Sequence, residues 1–394
     1  RRQRQMCIRD RFCSSYFSRT SSSLVVSYLL ILPMVIAAVM FWGLFEGQGE
    51  LRLKVASLVF PPFVLSAVIL MCAAAAGRML YPPDVGSEGK DVIDLEKEAE
   101  EAVGLVIQPD QFPDRLFAPP KKRELMPDGR NPVYDKELHS EIFSQGTLML
   151  RLVIQISMLL AIPMMGVFLF WQIERCAWFS VYVIVFNMLV GPVFLAGSMT
   201  SERERQTLDL LLTTTLTPWQ ILSGKFIVGF RISAVLTSFL LWPLLLGTAL
   251  NMSFWSNWPA VICMFAIVLM VCLVNAVIAL VCSLYTKKTS IALLSTYTTL
   301  LILYVVPPAI VALMQILDFV PEKIAAAQWM GITSPFSALF SIPLDENLSR
   351  ELNEPANAGN VPVVIGYFVF SLLLSAASSV AMFVRLRSRR GFGE

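Results

Sequence analysis

The chemistry available to this chain is concentrated in one polar stretch, Ser201 to Lys225, SERERQTLDLLLTTTLTPWQILSGK, set between two long apolar runs. Charge at this density does not sit in hydrocarbon, so the stretch is expected at a membrane surface. Its residue types suit mechanical contact rather than bond-making. Ser201 is placed to cap a helix, Glu204 three residues on completes a capping box, and Glu202 and Arg205 stand one i,i+3 step apart as an ion pair. Leu208, Leu211 and Leu212 give that helix an apolar face. Thr213, Thr214 and Thr215 are poor helix material, because β-branched side chains lose rotamer freedom and hydroxyls compete for the backbone, so a break is expected there. Thr217 then caps a second helix, with Pro218 at its first position and Gln220 closing another box, and this helix runs through Gly224 and Lys225 into the next apolar run. Two capped helices joined by a tight turn form a rigid elbow, able to pass a push on its tip to the spans on either side.

Bond-making chemistry is harder to find. His139 is the only histidine, which excludes a multi-histidine zinc site or histidine relay within the chain. The seven cysteines, Cys7, Cys13, Cys72, Cys176, Cys263, Cys272 and Cys282, are scattered singly, with neither a CxxC pair nor metal-ligand spacing, so no metal is expected. The phosphate-binding pattern G-x-x-x-x-G-K-[ST] is missing: neither Gly86 to Lys90 nor Gly224-Lys225 has its spacing and following hydroxyl. No carboxylate falls mid-span, which disfavours a proton- or sodium-driven carrier. The polar residues that do fall inside apolar runs are Gln155, Asn187 and Asn275, candidates either for lining a translocation path or for hydrogen bonding between spans. Pro307-Pro308 and Gly191-Pro192 should kink their spans.

The elements that must position these residues follow from composition. Hydrophobic residues make up 56% and charged residues 15% of 394 residues, far to the apolar side of a soluble domain, so the fold class is an all-α polytopic membrane protein. The net charge of +2 gives no reason to expect nucleic acid as a partner. The chain opens on Arg1 rather than Met, as expected of a fragment. RRQRQMCIRDRF resembles translated adapter read-through, so the basic segment 1–23 carries no structural weight. Two spans follow within 24–77, at about Leu24 to Phe45 and Val55 to Ala76, each near the roughly 20 residues a bilayer core requires. Residues 78–130 read as a cytoplasmic linker with one short acidic helix, DVIDLEKEAEEAV, and too few apolar residues for a core of their own.

Asn131 and Pro132 then provide an N-cap and first helical position, and Tyr134, Leu138 and Ile142 form an i,i+4 stripe, giving an amphipathic inner-surface helix over 131–146. Beyond it, spans are expected at about 152–171, 181–199, 226–250, 259–284, 291–314 and 363–384, with an acidic outer loop at 318–362 in which GITSPFSALFSIP is apolar enough to dip into the outer leaflet. With both ends of the chain in the cytoplasm, only Arg52, Lys54, Arg175, Lys323 and Arg350 lie outside, so the basic residues sit on the inner side and the elbow faces the cytoplasm.

The pattern E-[RK]-E-x-x-T-x-[DE]-x-L-L-x-T followed by T-P-x-x-x-I-L-x-G-K resembles the segment after the second span of ABC-2 type transporter permeases. It is matched at Glu202, Arg203, Glu204, Thr207, Asp209, Leu211, Leu212, Pro218, Gly224 and Lys225. Gln206 stands where that family frequently has Gly, and Asp209 where Glu is frequent. The segment N-P-V-x-x-[KR]-E-[LF] at Asn131 to Leu138 resembles the start of the same unit, so 131–390 reads as a six-span permease unit preceded by two extra spans. The resemblance implies a coupling helix at 201–217 that docks into a separate ABC ATPase subunit, with Glu202 to Leu212, including Arg205 and Leu208, as the docking element and Thr217 to Lys225 as its lever. ATP and Mg would be bound by that partner, and no cofactor by this chain. The resemblance further implies a second permease unit, surrounding membrane lipid, a multi-pass location in the plasma (inner) membrane and, usually, export. The two leading spans could be the tail of a fused preceding permease half. A reading from a different class is a non-transporting membrane anchor or assembly factor whose cytoplasmic face recruits a soluble partner; dependence on ATP separates the two.

Overall fold

The computed structural model describes residues 131–138, 147–167, 177–250, 258–317, 327–342 and 360–390, together with isolated helical positions between 50 and 73. The basic segment 1–23, the linker 78–130 and most of the two leading spans lie outside the described residues, as do 139–146 of the surface helix and most of the outer loop. The chain divides into two compact units; the second, Glu124–Ser140 with Ile154–Glu394, holds nearly all the described residues.

About 90% of the described residues are helical and none is in a strand. Apolar runs of this length can satisfy their backbone groups only within themselves once water is excluded, and the helix does that. In chain order the helices are α1 (Pro132–Leu138), α2 (Thr147–Met165), α3 (Ala177–Ala196), α4 (Thr200–Glu204), α5 (Leu208–Leu212), α6 (Pro218–Leu250), α7 (Trp258–Tyr285), α8 (Thr289–Tyr304) and α9 (Val306–Ile316). A 3-10 turn (Trp329–Thr333), α10 (Pro335–Phe340) and α11 (Val361–Arg390) complete them. Among the described residues four helices are long and apolar enough to cross a membrane, α3 with its continuation into α4, α6, α7 and α11; α8 and α9 make a fifth if the bent pair counts as one span.

Helix α7 packs against α3, α6, α8 and α11. The approach of α3 to α6 depends on Gly229, where an added Cβ would lie 2.4 Å from Leu195 Cγ, well inside contact distance. Tyr182 of α3 donates a hydrogen bond to Ser157 O of α2 at 3.0 Å. Two expectations about prolines resolve differently. Helix α3 continues through Pro192 as one element. The span expected over 291–314 is instead two helices, bent by 42° at Val305, because Pro307 and Pro308 offer no N–H to the preceding turn.

The 3-10 turn and α10 lie at the end of the bundle opposite the elbow. Phe340 meets Trp178 at the start of α3 edge-to-face, ring centroids 5.6 Å apart, and Ile332 packs where Gly366 leaves α11 without a side chain.

Candidate functional site

At the elbow the chain departs from the single capped helix read from sequence. Helix α4 begins at Thr200, and its N-cap Met199 has helical backbone (φ −97°, ψ −33°) with no side-chain cap bond, so Ser201 caps nothing. The cap is supplied from elsewhere: Ser283 Oγ, near the end of α7, accepts from the N–H groups of Met199 and Thr200 at 3.0 and 3.2 Å. Glu204 turns away from Ser201 as well. Its Oε1 accepts from Thr289 N at 2.8 Å and Thr289 Oγ1 at 3.2 Å, so it caps the N-terminus of α8, where a carboxylate also meets the positive end of the helix dipole.

Glu202 pairs with lysines distant in sequence rather than with Arg205. Its Oε1 lies 2.8 Å from Lys136 Nζ on α1 and 3.5 Å from Lys225 Nζ on α6, while Thr207 Oγ1 donates to Oε2. Lys225 is buried, its side chain 1% exposed, and also contacts Glu137 Oε1 and donates to Ser198 O at 3.0 Å. Arg203 reaches the C-terminal carbonyls of α7, donating to Leu284 O at 3.1 Å and to Thr286 O, where a cation completes groups the helix leaves open. Three consecutive residues of one short helix thus grip α1 and α6, then α7, then α8.

The break between α4 and α5 comes at Arg205 to Thr207, earlier than the threonine run. Thr207 N–H donates to Glu202 O at 2.9 Å and Gln206 N–H to Arg203 O at 3.1 Å, the paired bonds of a Schellman turn. That turn needs a left-handed residue, and Gln206 takes φ +59°. The preference for Gly at this position in the resembling segment was the sequence signal for it. Helix α5 then restarts with the expected apolar face turned inward: Leu208 is buried and Leu211 and Leu212 are half-buried, while Leu210, off that face, is 72% exposed, and Arg205 and Asp209 are exposed as well. Thr213 and Thr214 end α5 by donating hydroxyls to Leu210 O and Leu211 O at 2.8 and 2.7 Å.

At the head of α6 the capping box is formed. Gln220 Oε1 accepts from Thr217 N at 2.9 Å and Thr217 Oγ1 accepts from Gln220 N at 3.3 Å, with Pro218 as the first helical residue and Trp219 59% exposed beside it. Asn131 caps α1 through its side chain, Val133 N to Oδ1 at 3.1 Å, and its Nδ2 donates to Gln220 O at 2.7 Å. Gly224 lets the two helices touch: a Cβ there would sit 3.0 Å from Tyr134 N and 3.1 Å from Val133 Cβ. The two separate sequence signatures therefore fold into one site, with Asn131, Val133, Lys136 and Glu137 of the first against Gln220, Gly224, Glu202 and Lys225 of the second.

A family model described as ABC-2 family transporter protein matches residues 81–386. The chain belongs to the ABC-2 transporter family. No curated protein matches it. As an ABC-2 permease it is a membrane component of an ABC transporter, and the site just described lies within the matched region.

Of the three polar residues this permease carries inside apolar runs, two meet and one does not. Asn275 Nδ2 on α7 donates to Asn187 Oδ1 on α3 at 2.8 Å, and Asn187 Nδ2 donates to Ser233 Oγ and Thr237 Oγ1 on α6 at 3.1 and 2.6 Å. Tyr304 on α8, absent from the sequence candidates, donates its hydroxyl to Asn275 Oδ1 at 3.0 Å. All five residues are 2% exposed or less, so here they bond helix to helix. Gln155 is exposed on α2 and joins none of them. Among the described residues no group of three His, Cys, Asp or Glu side chains is arranged to hold a metal ion.

Proposed function

We propose that this permease is driven by a separate ABC ATPase that docks on the elbow, and that it exports its substrate across the plasma (inner) membrane as one of two permease units, with both ends of the chain cytoplasmic. The reading rests on one observation: Leu210 on α5 and Trp219 at the head of α6 are large apolar side chains left exposed, with Arg205 and Asp209 exposed close to Leu210 in sequence, and the α4 helix before them is bonded to α1, α6, α7 and α8. Large apolar side chains on a polar, stiffly held tip suit a socket in a soluble partner, where such anchors carry most of the binding free energy. ATP and Mg would be held by that partner. Glu202, Arg203, Glu204 and Leu208 then serve as the root of the lever, and Leu210, Trp219, Arg205 and Asp209 as its contact.

This division decides the test. Charge at Leu208 or loss of Glu204 would damage the permease itself, so the informative variant is Leu210→Asp with Trp219→Asp. The full chain is co-purified with an ABC ATPase subunit and reconstituted in vesicles, and ATP hydrolysis and ATPase retention are measured. The variant should keep its unfolding midpoint and lose both partner retention and permease-dependent stimulation. An ATPase that stays bound and fully stimulated by the double variant would refute docking at the elbow, and one retained without any ATP dependence would favour the anchor reading.

A further inference from the structure

The break between α8 and α9 leaves two backbone carbonyls without helical donors. In an unbroken helix Leu303 O would accept from residue 307 and Tyr304 O from residue 308, but both of these are proline. At membrane depth an unmet carbonyl is costly. Both are met from a distant segment: Thr333 Oγ1 donates to Leu303 O at 3.1 Å and Ser334 Oγ donates to Tyr304 O at 2.5 Å. Thr333 Oγ1 also contacts Met330 O at 3.2 Å. Ser334 is fully buried and Tyr304 1% exposed, so this second pair lies away from solvent. The segment carrying the hydroxyls is itself braced, through Phe340 on Trp178 and Ile332 against Gly366.

We propose that Thr333 and Ser334 are a latch on a hinge: their hydroxyls stand in for the two N–H groups the prolines lack and hold α9 in its bent position against α8. Release is chemically easy, because the same carbonyls can be served by water once the 327–342 segment lifts at the end of the bundle. The hinge is also wired inward. Tyr304 gives its carbonyl to Ser334 and its phenol to Asn275, so a shift of the latch reaches the buried layer that joins α3, α6, α7 and α8. Helix α9 has 11 residues, about 16 Å of rise, so closing a 42° bend would swing its tip by up to about 11 Å. The inference concerns this end of the molecule and does not depend on the docking proposal.

The test uses the full chain in nanodiscs without any ATPase. Spin labels are placed at Leu250→Cys and Ile316→Cys, both exposed, with every cysteine except buried Cys272 replaced by alanine and labelled chains diluted with unlabelled ones. The parent should give one dominant distance. Thr333→Val with Ser334→Ala should add a population displaced by several ångströms, whereas Thr333→Ser, which keeps the hydroxyl, should not. Pro307→Ala with Pro308→Ala supplies the missing backbone donors, so in that background the distance should be single, displaced and indifferent to Thr333→Val/Ser334→Ala. An unchanged distance in Thr333→Val/Ser334→Ala would overturn the latch, as would an effect of that pair persisting when the prolines are gone.

Discussion

Replacing Lys225 by methionine removes the most buried charge of the elbow while preserving length and most of the volume. In the native protein its ammonium is shared by Glu137, Glu202 and Ser198 O, and the side chain is 1% exposed. Without it, the Glu137 and Glu202 carboxylates, 15% and 11% exposed, remain beside one another, and the Lys136 ammonium that still meets Glu202 is itself 60% exposed. Breaking a buried pair by deleting one partner costs about 3–5 kcal/mol. Residual exposure of both carboxylates and the surviving Lys136 contact put the expectation at the lower edge, about 3 kcal/mol, or roughly a hundredfold in the unfolding equilibrium. The assay is reversible unfolding of the purified full chain in mixed micelles, followed by helical circular dichroism as the denaturing detergent is raised. Neutralising the Glu137 carboxylate that faced Lys225, in Lys225→Met/Glu137→Gln, should recover at least about 1 kcal/mol, since contacting residues are not additive. A loss below about 1 kcal/mol, the worth of an exposed ion pair, or strict additivity in the double variant, would refute the claim that this cluster carries the elbow.

The same assay checks three further expectations. Gln206→Gly should stabilise by about 0.5–1 kcal/mol, because the left-handed backbone costs a non-glycine residue about 1–2 kcal/mol and the extra freedom of glycine when unfolded returns about 0.5–1 kcal/mol of that. Gly229→Ala should destabilise by about 1–3 kcal/mol, since its Cβ would meet Leu195 at 2.4 Å and push α6 off α3. Asn275→Leu should lose about 1–3 kcal/mol by taking partners from Asn187 Oδ1 and the Tyr304 hydroxyl. Gln155→Leu, at an exposed position on α2, should stay within about 0.5 kcal/mol.

What the sequence made legible divides by range. The apolar runs that became α3, α6, α7 and α11 are readable because a span needs only length and composition. The Thr217–Gln220 box is readable because its partners are three residues apart. Glu202, Arg203 and Glu204 were not, because the lysines, helix-end carbonyls and Thr289 they bind lie 23 to 85 positions away, and a local rule then offers Arg205 and Ser201 instead. The apolar face of α5 was readable for the same reason as the box, since Leu208, Leu211 and Leu212 turn inward and Leu210 outward by local spacing alone, whereas the left-handed turn at Gln206 that sets α5 off from α4 was not. Tyr304 escaped notice because a tyrosine in an apolar run reads as bulk until its hydroxyl is seen to meet Asn275. Pro307-Pro308 marked the bend; what it could not reveal was that Thr333 and Ser334 would answer it.

Where this molecule can yield follows from where it is tied. At the elbow, α4 holds α6, α7 and α8 through Glu202, Arg203 and Glu204, and it is continuous with α3 by a single turn. Deeper in the bundle the same four long helices are tied again through Asn187, Ser233, Asn275 and Tyr304. Two bonded layers at different depths resist both sliding and rotation, so α3, α6, α7 and α8 form one stiff block. Relative motion is left to the elements bound by neither layer. Helix α9 lies past the proline break, where two hydroxyls occupy the carbonyls at the end of α8, and α11 has only 22% of its apolar window buried, with Tyr285 stacked under Arg385 near one end and Ile332 against Gly366 near the other. If an ATPase docks at Leu210 and Trp219 as proposed, its push would be delivered to a stiff block, and any opening it produced would have to appear at the edges of that block, along α11 and beyond Val305.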